Sequence, residues 1–433
     1  MALASYTVSN YRSFADPTRV ELRPLTLLFG YNSAGKSALL RALPLLAASV
    51  APSVDGPLAM RSAAARDATF ADLRSRLTRR PSLDLGVSWD DDHNPVRDVE
   101  LSMLDLARSK RQVVERLRVA GNGGGQILEA LLALPEDELS GELSRYELAG
   151  SSGQEALVRL DFDGLVPSLV DAGDADAQWT SVIRSVGERM RSLHTGVHWI
   201  GSVRSLPARR SSYAGPPRRL QPDGGGATDM LAYDALGDGA VLRDVAAWYE
   251  AAMAHHLEVV REGTGAAEQF YVALSPRRGD PIRIHIVDTG EGMAQVLPVI
   301  VLGTLARHGR LGASPVLAIE QPEIHLHPRA HAEVASFLCR LAAADAPPRM
   351  LVETHSENLL LRVQLAIIRG ELSPDRVLVY WVKQTAEGFS LMDRITFDEL
   401  ARPEGDNWPP GVFSEDIEQA RSLILERRKR SQA

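Results

Sequence analysis

The stretch "LTLLFGYNSAGKSALLRAL", residues 25–43, decides the fold. An apolar run closes on Gly30, a short loop follows, and a second apolar pattern begins after Lys36. The loop from Gly30 to Ser37 fits G-x-x-x-x-G-K-[ST], with a strand before it and a helix after it. Gly30 and Gly35 let backbone N–H groups turn inward around phosphate oxygens. Asn32, Ser33, Ala34 and Ala38 complete the cradle. The helix starting near Lys36 points its positive end at the same anion. Lys36 adds a full charge near the outer phosphates, and Ser37 offers a hydroxyl to Mg2+.

Three further motifs lie towards the C-terminus. In "VLAIEQPEIHLHP", residues 316–328, an apolar strand ends in Glu320, followed by Gln321. A strand ending in a carboxylate is what a phosphate-loop site needs to hold Mg2+ or its waters. In "LVETHSE", residues 351–357, a second apolar strand ends in polar residues with His355 at its tip. A histidine there can hydrogen-bond the γ-phosphate or an attacking water. One helix crossover separates the two strands, so both tips belong on one edge of a sheet. In "DTGEGMAQVLPVI", residues 288–300, Gly290 and Gly292 precede a helix, a weak anion-site signal by itself.

Bulk composition sets the frame. The chain has 433 residues, 45% hydrophobic and 24% charged, with net charge −8. That is long enough for two or three domain-sized units, and any nucleic-acid surface would have to be local. The single cysteine, Cys339, excludes an intramolecular disulfide and a cysteine-built zinc site. No apolar run approaches the ~20 residues that span a bilayer, and the N-terminus has no signal-peptide pattern. The expectation is a cytoplasmic protein with no membrane partner.

Along the chain, residues 5–9 and 19–29 read as strands. Strand-like pieces recur between 85 and 163, broken by turn-rich links such as "GNGGG", with one helical pattern at "QILEALLAL". Residues 165–193 and 226–262 read as mainly helical. They flank a loop carrying Arg204, Arg209, Arg210, Arg218 and Arg219, which could meet nucleotide, nucleic acid or an effector. Strands and helices then alternate to the end, the pattern of a parallel sheet covered by helices. The tail "ERRKRSQA" reads as a solvated helix end. "PEIHLHPRAHAE" also offers Glu323, His325, His327 and His331 as conceivable zinc ligands.

The four motifs, in this order, resemble the ATP-binding-cassette class of ATPase heads. More closely they resemble the stand-alone heads of the RecF, OLD (overcoming lysogenization defect) and structural-maintenance-of-chromosomes (SMC) group. "EQPEIHLHP" followed by "ETHSE" is characteristic of that group. "RITFDEL…NWPPGVFSED" resembles the ending of bacterial AAA ATPases with a DUF3696 C-terminus. The resemblance covers roughly residues 1–45 and 280–420. It implies an α/β fold: an ABC-type P-loop head with a RecA-like, mostly parallel sheet, an antiparallel β subdomain and a helical insertion. The expected parts are 1–50 (core with Walker A), 51–164 (antiparallel subdomain), 165–275 (helical, Arg-rich insertion) and 276–433 (core with signature, Walker B and switch histidine).

The same resemblance implies roles. Glu320 would be the Walker B acid serving Mg2+ with Ser37, and His355 the switch histidine. Gly290 to Gln295, with Gly292 between, would stand in for the signature motif. Arg204 would reach the nucleotide. Two heads would clamp two ATP molecules as a homodimer. Gln321 stands where the wider class has a catalytic Glu, and Ala294 where many relatives carry Ser; both imply slow hydrolysis. A glutamine can still orient water, as in the GTPases. No Toprim-like acidic pattern follows His355, so a separate effector is expected, in anti-phage defence. A DNA-binding RecF-like head and a nearly inactive ATP-bound scaffold are the alternatives.

Overall fold

The computed structural model describes residues 2–404, apart from 92, 107, 134–142, 151–152, 172–176, 216–218, 266–267 and 278–281. Arg218, the "NWPPGVFSED" motif and the basic tail lie outside the described residues.

A nine-stranded antiparallel sheet takes β1 (Ala2–Ser9), β2 (Thr18–Glu21), β4 (Leu83–Asp90), β5 (Asp98–Leu106) and β6 (Arg111–Ala120). It continues through β7 (Gln126–Leu132), β8 (Arg145–Gly150), β9 (Glu155–Asp163) and β10 (Val166–Asp171). The strand order is β10-β9-β8-β7-β6-β5-β4-β1-β2.

A seven-stranded sheet contains β3 (Leu25–Gly30), β11 (Val197–Ile200), β16 (Val316–Glu320), β17 (Arg349–Glu353), β18 (Val377–Gln384), β19 (Ser390–Phe397) and β20 (Pro403–Glu404). Its order is β11-β16-β17-β3-β18-β19-β20. The first five strands pair in parallel and the last two are antiparallel. β3, β16 and nearly all of β17 are buried end to end, as strands covered on both faces must be. A small sheet of β12 (Ser211–Ser212), β13 (His255–Glu262), β14 (Gln269–Pro276) and β15 (Ile284–His285) lies apart.

The described helices are α1 (Lys36–Ala48), α2 (Phe70–Leu73), α3 (Ala177–Gly196), α4 (Ala227–Asp234), α5 (Ala240–Met253), α6 (Glu291–Arg307), α7 (Pro328–Ala343) and α8 (Glu357–Ile368). They sort into two cores. One joins α1 and α3 to the antiparallel sheet and to one face of the parallel sheet, through Leu39, Leu43, Val99, Leu128, Ala318 and Leu351. The other joins α4 to α8 to the opposite face, through Val245, Val296, Phe337, Leu360, Ile319 and Val352. The parallel sheet is therefore a middle layer, and α1 is packed between two sheets.

Several expectations change. "QILEALLAL" supplies a strand, β7, whose buried residues Leu128, Ala130 and Leu132 alternate between β6 and β8. Residues 19–29 are two strands in different sheets, separated at Pro24, which has no N–H for a ladder. The first two strands thus join the antiparallel sheet, which is wider than 51–164. Residues 166–171 and 255–262 are strands within stretches expected to be helical.

Candidate functional site

β3 and α1 present the Gly30–Ser37 loop. A Cβ on Gly30 would lie 2.2 Å from the Val382 carbonyl oxygen of β18, so only glycine lets β3 turn there. Ser33 and Gly35 are left-handed, with φ of 63° and 106°, which curves the loop inward. Gly35 caps α1 without a side-chain hydrogen bond. That leaves the helix's first-turn donors to an external acceptor. Ser390 Oγ of β19 donates to the Ala34 carbonyl at 2.7 Å and holds the loop from behind. Asn32 and Ser33 are exposed, while Ala38 is half-buried on α1.

Lys36 is buried, and its Nζ donates to the carbonyls of Gly30 (2.8 Å) and Tyr31 (2.6 Å). Burial lowers its pKa to about 8, opposed by Glu353. Ser37 Oγ donates to Glu353 Oε1 at 2.6 Å. Glu353 ends β17, the strand next to β3, and lies in register with Glu320 at the end of β16. Burial raises the Glu353 pKa, aided by repulsion from Glu320 and opposed by the Ser37 hydroxyl.

Glu320 is 0% exposed and fully engaged. It forms a bidentate pair with Arg41 of α1 through Nε (2.7 Å) and Nη2, and accepts from Trp199 Nε1 (3.0 Å) and Ser202 Oγ (3.3 Å). Gln321 takes φ 42°, its N–H donating to the Glu353 carbonyl at 2.8 Å. Glu323 is buried, and its Oε1 accepts from Thr354 Oγ1 (2.8 Å) and the His355 N–H (3.0 Å). It ties the turn after β16 to the tip of β17 and fixes where His355 begins. Burial lowers the His355 pKa to about 4, with Lys36 adding to the effect. At neutral pH that imidazole is therefore uncharged and can accept as well as donate.

Arg204, 5% exposed, does not lie free in its loop. It donates to the carbonyls of Gly201 (3.0 Å), Gln295 (3.2 Å), Glu320 (2.5 Å) and Gln321 (2.9 Å). It thereby clamps α6 to the end of β16. Gly292 supports the same junction: a Cβ there would lie 2.4 Å from the His325 carbonyl oxygen. Gly290 is the exposed N-cap of α6, Ala294 is buried, and the buried Gln295 has an unpartnered Oε1.

The structure thus gathers Lys36, Ser37, Glu320, Glu353 and His355 at one edge of the parallel sheet. No hydrogen bond among the described residues joins Gly290–Gln295 to the Gly30–Ala38 loop. The histidines after β16 have separate tasks. His325 faces Glu291, His327 caps α7, and His331 bridges Ser356 and the Leu326 carbonyl. Among the described residues, no cluster of three His, Cys, Asp or Glu could hold a metal on its own. Any cation here would need a hydroxyl and ligand oxygens as well.

Sequence reading missed Glu353, Arg41 and Trp199. The available signal was that "VLAIE" and "RMLVE" are buried parallel neighbours ending alike.

Fold and site define an AAA-type P-loop ATPase head of SMC-like architecture. The chain belongs to the family described as "AAA domain, putative AbiEii toxin, Type IV TA system", whose model matches residues 65–362. A second model, "AAA ATPase domain", matches residues 1–85. An SMC head solved bound to the C-terminal winged-helix domain of ScpA is 10% identical, with TM-score 0.50; the match covers 92% of this chain and 99% of that one. The SMC head domain from Thermotoga maritima is 11% identical, with TM-score 0.41 and coverage of 91% and 98%. The first of these shows likeness of fold alone. No curated protein matches the chain. No helix among the described residues is long and apolar enough to cross a membrane.

Proposed function

We propose that the chain is a slow, Mg2+-dependent ATPase switch of the OLD-like and RecF-like group, akin to the heads with a DUF3696 C-terminus. It closes on a second copy around ATP and governs a separate effector in bacterial anti-phage defence. The observation that carries the reading is the convergence of Lys36, Ser37, two strand-end carboxylates and His355 around an uncapped helix N-terminus. The toxin–antitoxin description of the family supports the defence setting.

In this reading the loop and α1 bind the phosphates, and Lys36 leaves the Gly30 and Tyr31 carbonyls for them. Mg2+, when bound, neutralises charge on the outer phosphates. Ser37 and a strand-end carboxylate would hold it; the unpartnered, buried Oε2 of Glu353 fits such a cation. Neutral His355 contacts the γ-phosphate or the water. Gln321 orients that water without taking its proton, which makes turnover slow. Gly290 and Glu291 form an exposed cap with no hydrogen bond to this chain's own loop among the described residues, as a signature completing a partner's site would. Against a DNA-binding role stands the pairing of Arg209 with Asp288 and Arg210 with Glu262.

The test is nucleotide binding and molar mass with and without a slowly hydrolysed ATP analogue. The wild type should bind and double its mass; Lys36→Ala should do neither. Unchanged binding by Lys36→Ala would sink the reading, and a salt-dependent DNA affinity with ATP bound would favour the RecF-like alternative.

A further inference from the structure

We infer that Glu353, not Glu320, is the carboxylate that meets Mg2+ beside Ser37. The inference rests on the ATPase reading above and changes the residue given the metal.

Four observations carry it. Ser37 Oγ, the hydroxyl that faces the metal in a phosphate-loop site, already bonds Glu353 Oε1 at 2.6 Å. Glu353 is 2% exposed, and its Oε2 is buried with no hydrogen-bond partner. Such an orphaned acceptor is costly unless something else completes it. Glu353 ends the strand directly beside β3, whereas Glu320 ends the strand beyond. Finally, every side of Glu320 is taken by Arg41, Trp199 and Ser202. For Glu320 to ligate a cation, its bidentate pair with Arg41 would have to break, leaving a buried guanidinium uncompensated.

Mg2+ prefers one or two carboxylates, with phosphate oxygens and waters filling an octahedron. Ser37 Oγ and Glu353 Oε2, together with the phosphates in the loop, supply that mixture and leave the Arg41–Glu320 pair intact. Glu320 then serves as the fixed anion that holds Arg41 and α1 against β16.

The experiment measures ATP-analogue affinity in EDTA and across a Mg2+ titration. In the wild type Mg2+ should tighten binding by tenfold or more. In Glu353→Gln the EDTA affinity should rise, because a negative charge near the phosphates is gone, and the Mg2+ enhancement should fall to about onefold. Glu353→Asp keeps the charge but withdraws it by one methylene, so half-saturating Mg2+ should rise several-fold. That variant decides the matter if Gln prevents folding. A wild-type Mg2+ response in Glu353→Gln, or in Glu353→Asp if only that variant folds, overturns the inference. So does loss of the response in Glu320→Gln with its retention in Glu353→Gln. Absence of nucleotide binding by the wild type would instead overturn the ATPase reading itself.

Discussion

Replacing Arg204 with methionine keeps most of the side chain's apolar bulk and removes all of its donors. Three of the acceptors it serves, the carbonyls of Gln295, Glu320 and Gln321, lie on α6 and at the end of β16. Orphaning a buried acceptor costs about 1–3 kcal/mol, so losing three costs about 3–9 kcal/mol. An opposing term comes from the charge. Arg204 has no carboxylate within ion-pair distance among the described residues, and burial lowers its pKa to about 10. Removing such an ion returns several kcal/mol of desolvation. The balance is a destabilisation of about 3 kcal/mol. Urea unfolding followed by tryptophan fluorescence measures it as a lower midpoint at unchanged slope. Arg204→Lys, with three donors and the charge retained, should recover part of the loss. A methionine variant as stable as the wild type, or more so, would refute the reasoning. The guanidinium would then be a tolerated burden rather than the clamp between α6 and β16.

Three other outcomes are expected. Gln321→Glu should raise steady-state phosphate release by about 100-fold, the low end of what a positioned general base supplies; an unchanged rate would mean residue 321 does not face the water. Gly292→Ala forces a methyl group to within 2.4 Å of the His325 carbonyl. It should cost about 1–3 kcal/mol and weaken the proposed ATP-driven dimerisation, and a variant of unchanged stability would refute the close approach. His198 is buried, and desolvation lowers its pKa to about 4, with Arg219 contributing. Between its ordinary value near 6.5 and 4 the unfolded chain binds a proton that the folded chain does not. Stability should therefore fall as pH drops through that window, by up to about 1.4 kcal/mol per unit, and level off below it. Chemical denaturation at several pH values should show a shallower fall for His198→Gln; parallel curves would contradict this.

The nucleotide loop was legible because its signal is local: a buried strand, two glycines, Lys36 and Ser37 within one turn of helix. The strand tips were legible for the same reason, since "VLAIE" breaks sharply from apolar to acidic and "LVETHSE" from apolar to polar. Pairing was not legible. Nothing in "YTVS" tells that β1 lies beside β4 rather than beside β3, because the partner is chosen by surfaces elsewhere in the chain. "QILEALLAL" carries both a helical and a two-residue period, and its flanking strands decide between them. Arg204 reads as one of several loop arginines; its burial depends on carbonyls contributed from two distant segments. The Arg41–Glu320 pair spans 279 positions and leaves no trace in either local pattern.

The position of β3 bears on how the molecule comes into being. Its two neighbours, β17 and β18, begin at Arg349 and Val377, more than three hundred positions downstream. At about 5–20 residues per second, a ribosome needs on the order of half a minute between making the nucleotide loop's strand and making its supports. During that interval a largely apolar strand, buried end to end in the finished fold, has no ladder partner, which makes the nascent chain a natural client for chaperones. Any product terminated before residue 349 would carry the complete Gly30–Ser37 sequence and still lack the scaffold that shapes it.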